Sequence, residues 1–267
     1  MRPTSFLYTQ PRDWGRVAVR VLRSWWYMIY LGAIAIVMAL SLKTYSRANH
    51  IVASRFIYSS TWQVLPWFTV LAALVSLVII RIVVVTALSY GLSAYALEMV
   101  VRVLVLELIP LTAAMFVALR ASMAFNAGDA LALAAAASPD TSARAQARLR
   151  QELVPQVIAN AFAVLSLAMV SSVIVLVLAY VNVYGLSPWG VSDYTRTVGR
   201  IFDPAITFGF IFKTVSFGLA VAVIPTAAIL EMHRYGLSST STVQPGAVRL
   251  LFVLLMIEAA SLAITYI

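Results

Sequence analysis

Cysteine is absent from the 267-residue chain, which excludes disulfides, thiolate zinc sites and cysteine nucleophiles. Histidine occurs twice, at the isolated positions His50 and His233, so neither belongs to a metal-ligand cluster. Charge is scarce, at 11% of residues, and acidic residues are the rarer sign. No Gly-x-x-x-x-Gly-Lys-Ser/Thr loop is present. The stretch GFIFKT around Lys213 has the wrong spacing and lies in an apolar run, so no nucleotide is hydrolysed by this chain. No nucleophile and base stand together either. These absences predict a protein that is not an enzyme and has no metal or cofactor of its own.

What the chain has in excess is apolar length. Hydrophobic residues make up 62% and the mean hydropathy is +0.93, against about 45–50% apolar residues in soluble domains. The apolar runs lack the alternation of barrel strands, so the fold class expected is all-α, a polytopic membrane protein. Five spans are predicted, at about residues 64–90, 98–125, 154–183, 204–230 and 248–267, each long enough for a hydrocarbon core of about 30 Å. Nothing at the start reads as a cleavable signal peptide, so uncleaved insertion is expected.

An earlier apolar run, residues 25–42, decides the topology. If it spans, the basic residues divide evenly between the two sides. If it lies in the interface or re-enters, Arg196 and Arg200 alone fall on the side opposite the others, as the positive-inside rule requires. Five spans with a cytoplasmic amino terminus follow. Upstream, Arg12, Arg16, Arg20 and Arg23 fall within about 80° on a helical wheel, opposite Trp14, Val17, Val21 and Trp25, which describes an amphipathic interfacial helix. Residues 1–63 thus form a basic interfacial region and residues 64–267 a membrane domain. The net charge of +9 sits in short flanks of apolar runs, a pattern for anionic lipid rather than nucleic acid.

Between spans two and three, residues 126–153 form a cytoplasmic segment. Ser138 as N-cap, Pro139 at the first helical position, and Arg144 and Arg148 four apart predict a short helix outside the bilayer, where a partner could push. The outer loop, residues 184–203, is rich in turn formers and aromatics and has room for a short helix along the membrane.

Ionisable residues inside spans cost about 2.5–3.5 kcal/mol each on insertion scales and are functional-site candidates by default. Arg81, Glu107, Lys213 and Glu258 qualify. The predicted spans put Arg81, Glu107 and Lys213 at one depth in the outer half, with Glu258 nearer the middle, a set able to line a polar cavity or to lock helices together. Glu98 and Arg102 read as an interfacial i,i+4 pair, Arg120 as a residue that snorkels, and Ala114, Ala118 and Ser122 as a small-residue seam.

The stretch LELIPLTAAMFVALRASMA resembles the second-span signature of the MlaE/YrbE permeases, the membrane subunits of ABC systems that carry phospholipids together with MCE-domain proteins. Glu107, Pro110, Arg120, Ala121 and Ser122 occupy the matching positions. LVPQVIAN resembles the family's proline-led start of the third span, with Pro155, and FKTVSFG its Lys-x-x-x-Phe-Gly, with Lys213, Phe217 and Gly218. The resemblance covers residues 64–267. It implies a pair of permease chains in a bacterial inner membrane, cytoplasmic ATPase subunits that bind the ATP and dock at the helix of Arg144 and Arg148, a ring of MCE domains outside, and a phospholipid cavity. Two positions depart from the pattern. Leu106 stands where the family commonly has Arg, and Ala136 and Ala137 stand where its acidic coupling pair falls. Those alanines fit a divergent ATPase matched to the basic helix, the inactive half of a heterodimer, or a non-transporting scaffold for a lipid-binding complex.

Overall fold

The computed structural model describes residues 57–124, 142–234 and 246–266, together with positions 19, 22, 25, 26, 28–30, 32, 33 and 54. Every element among them is helical. Among the described residues five helices are long and apolar enough to cross a membrane: Leu65–Ser89, Tyr95–Ala121, Val157–Tyr184, Pro204–Pro225 and Ala247–Ile264.

The first span is α1 (Leu65–Ser89), with Pro66 in its opening turn, where a missing N–H costs nothing. It ends in a Schellman motif: Gly91 adopts φ +72°, its N–H bonds the Leu88 carbonyl, and the Leu92 N–H bonds Ala87. A residue with a Cβ at Gly91 would be strained, so this tight turn has its cause in that glycine. The second span runs through α2 (Ser93–Met99), a π-helical stretch (Val100–Leu108) and α3 (Ile109–Ala124).

Pro110 explains the π stretch. A proline inside a helix donates no bond and its ring crowds the carbonyl four residues back, here Leu106. Widening the preceding turns to i,i+5 bonding relieves that crowding without breaking the span.

The third span belongs to α4 (Ser142–Tyr184), which corrects the expectation of a separate cytoplasmic helix followed by a proline-led span. One helix of 43 residues runs through both, with Pro155 inside it. At about 1.5 Å per residue it is about 65 Å long, twice a hydrocarbon core. The carbonyl that Pro155 leaves unpaired, on Gln151, precedes the apolar window that starts at Val157, where water can satisfy it. Ser138 and Pro139, the predicted cap, and Ala136 and Ala137 lie outside the described residues, and Arg144 and Arg148 are described as helical backbone only.

A 3₁₀ turn (Pro188–Gly190) and α5 (Val191–Ile201) fill the loop between spans three and four, as its turn formers predicted. The fourth span lies in α6 (Pro204–Arg234) and the fifth in α7 (Ala247–Tyr266). The Gly91 turn, α5 and the end of α7 share one end of the bundle, called here the turn end. Exposed aromatics mark both ends, Tyr58, Trp62 and Trp67 at the far one and Tyr90, Tyr95 and Trp189 at the turn end, as an interfacial belt requires.

The core is the packing of α4 against α6, with α3 and the π stretch beside them. At Gly218 a Cβ would stand 2.7 Å from the Ala161 Cα, so the backbones of spans three and four meet there directly. Phe217, its neighbour, is fully buried. Spans one and five are peripheral: 17% and 11% of their apolar windows are buried, against 56% for span two. The described positions 19–33 are helical and lie against the far ends of spans four and five, Trp25 packing edge-on to Phe252 at 5.9 Å and Gly32 facing Val223. Arg12, Arg16, Arg20, Arg23 and residues 34–42 fall outside the described residues.

Candidate functional site

Of the four candidates Arg81, Glu107, Lys213 and Glu258, three converge. Lys213 projects from α6 into the bundle and is 2% exposed; its Nζ donates to Glu107 Oε2 and lies 3.2 Å from Glu258 Oε2, the latter an ion contact without hydrogen-bond alignment. The carboxylates are 14% and 13% exposed. One ammonium thus holds two carboxylates and ties spans two, four and five at a single level. Glu258, expected nearer the middle of its span, joins that level.

Arg81 does not join it. The packed face of α1 carries Phe68, Ser76, Ile80 and Val84, and Arg81 is exposed beside that face. Among the described residues Arg81 has no ion-pair partner.

A groove of about 610 Å³ opens beside the second span at the turn end, lined by Tyr95, Glu98, Met99, Arg102, Val103 and Glu107, with Leu262 from α7 opposite. Glu107 is its deepest ionisable group and the point where it touches the three-helix cluster. Lys213 and Glu258 stand behind Glu107 and orient it. Near the rim, Arg102 Nε donates to Glu98 Oε1 at 2.9 Å, with 31% and 37% of the two side chains exposed. The predicted i,i+4 pair therefore exists, but on a groove wall. Tyr95, Met99, Val103 and Leu262 were not singled out in the sequence; the available signal was the four-residue spacing of Tyr95, Met99 and Val103 beside Glu98 and Arg102.

The remaining motif residues have structural places. Pro110 is buried at the start of α3, and Pro155 is buried within α4. Arg120, half-buried at the far end of span two, donates to Gln63 Oε1 at 3.4 Å, which joins the end of span two to the start of span one. Ala114 and Ala118 are buried in the seam predicted for them, while the Ser122 side chain lies outside the described residues. On the turn end, Tyr180 stacks on Tyr184, Tyr194 meets both rings edge-on, and Tyr194 donates to the Leu176 carbonyl at 2.8 Å. Burial pushes the Tyr194 phenol up to about 12.

The arrangement has an apolar groove with a few convergent charges and a buried ionic anchor at its floor, and it opens where a membrane leaflet would be. It suits an amphiphile better than a soluble substrate. Residues 53–264 match the model of the family described as Permease MlaE. No curated protein matches the chain.

Proposed function

The chain belongs to the MlaE permease family, and on that premise we propose that it is the membrane subunit of a phospholipid-transporting ABC system, moving lipid through the groove that ends at Glu107. As a family member it is a multi-pass membrane permease, a transport subunit. The finer reading adds a cytoplasmic ATPase that binds the ATP, an MCE-domain protein, a second permease chain, and residence in a bacterial inner membrane with the amino terminus in the cytoplasm. Basic flanks at the far end support that orientation, since positive residues favour the cytoplasmic side. The turn end, and with it the groove, then faces outward.

The observation that carries the reading is the contact of Glu107 with both the groove and the Lys213–Glu258 cluster. Charges are expensive in hydrocarbon, and a buried pair seldom repays its desolvation as stability. A cluster that only locked helices would have no need to reach a groove wall.

Tagging the chain at native expression, extracting the membranes gently and identifying the proteins and lipids that accompany it tests the assembly. Recovery of an ATPase, an MCE-domain protein and phospholipid supports the transporter and shows whether a second permease shares the dimer. Recovery of outer partners without an ATPase favours the scaffold, for which Ala136 and Ala137 in place of the family's acidic pair already argue.

A further inference from the structure

The groove wall carries charge in a particular balance. Glu98 is matched by Arg102 on the wall, and Glu107 by Lys213, which stands behind the wall and also contacts Glu258, so among the described residues of these two sets three carboxylates face two cations and no cation is left over. Arg81 is exposed on another helix, and Arg196 and Arg200 lie exposed on α5, which packs on the same stretch of span two without lining the groove. An anionic head group entering here would find no unmatched positive charge, whereas a head group with one charge of each sign leaves the balance unchanged.

The two ionic sets also differ in how readily they exchange partners. Lys213 is enclosed, and separating it from its carboxylates would strand buried charges. Glu98 and Arg102 form a single part-exposed pair within one helix, a class of interaction worth little and easily replaced. Both side chains line the groove, with Met99, Val103 and Leu262 alongside to meet acyl chains.

We propose that this groove admits zwitterionic phospholipid head groups in preference to anionic ones, Arg102 taking the phosphate and Glu98 the ammonium as their mutual pair opens. Arg102 offers the phosphate planar charge-assisted donors, and Glu98 accepts from the ammonium. The inference rests on the lipid-carrying reading above and adds the head-group class.

The test uses the full chain with the subunits that accompany it, reconstituted in bilayers of equal phosphatidylethanolamine and phosphatidylglycerol, then extracted mildly, with retained lipid quantified by mass spectrometry. Wild type is expected to retain the ethanolamine lipid several-fold over the glycerol lipid. Glu98→Gln should shift that ratio about tenfold toward the glycerol lipid, the loss of roughly one charge-assisted bond, with total lipid unchanged. Arg102→Gln should lower retention of both. The double exchange Glu98→Arg with Arg102→Glu restores the preference seen in wild type.

Equal retention of the two lipids by wild type, or an unchanged ratio in Glu98→Gln, overturns the head-group inference and leaves the lipid-carrying reading standing. Retention of neither lipid by wild type overturns the lipid-carrying reading itself. Should Glu98→Gln fail to fold, wild type still decides: soluble glycerophosphoethanolamine should displace retained lipid at lower concentration than glycerophosphoglycerol, and equal displacement refutes the preference.

Discussion

Two sets of opposite charges share the second span and live under different conditions. Glu107 meets Lys213 and Glu258 where three helices close over them, while Glu98 meets Arg102 on a single helix at an open rim. The inner set is costly to assemble and dangerous to break; the outer is cheap in both respects. Their difference teaches that ion pairs in one groove can have separate roles, an anchor that fixes the floor and a pair free to change partners.

The comparison breaks most visibly at Lys213. Lys213→Met leaves Glu107 and Glu258 buried without a cation and should cost about 3–5 kcal/mol, seen as loss of folded protein after extraction. A wild-type melting temperature for this variant would mean that the cluster is not enclosed. Replacing all three residues together, Lys213→Met with Glu107→Leu and Glu258→Leu, should return the folded protein to near wild-type stability while lipid transport stays lost. Survival of transport in the triple variant would make the anchor structural.

Gly218→Ala tests the frame that holds Lys213 in place. Its Cβ would press on the Ala161 backbone, which has no rotamer to yield, and overpacking of this kind costs about 1–3 kcal/mol by thermal melt. At the rim, Glu98→Gln should change stability by no more than about 0.5 kcal/mol in the same melt, which separates the weak pair from the anchor. An effect seen only at high pH belongs to Tyr194 on α5. Its phenol is pushed up from 10.0 to about 12 by burial, so its contribution to stability is whole below pH 10 and is lost as pH climbs from 10 to 12. Melts across that range should fall in wild type and fall less steeply in Tyr194→Phe.

Much of this was legible in the sequence, and the misses share a cause. The five spans follow from apolar length, and Glu107 and Lys213 from the rarity of charge in hydrocarbon. The face each residue presents was harder to read. Span one is apolar on all sides, so no periodicity told that Arg81 would point away from the packed face. In span two the π stretch shifts the angular register that a 3.6-residue period assumes, which hid the common wall of Glu98, Arg102 and Glu107. Pro155, which the family resemblance puts at the start of the third span, lies inside α4, because near an aqueous end the carbonyl it orphans is readily satisfied and the helix continues through it.

The claim that matters most is that Glu107 serves the groove rather than the fold. Phospholipid transfer measured in membranes holding the assembled complex, wild type against Glu107→Gln, tests it most directly. The account predicts a complex that still assembles, because Lys213 keeps Glu258 as its counter-ion, and transfer reduced to background. Transfer at the wild-type rate by an intact Glu107→Gln complex would contradict it.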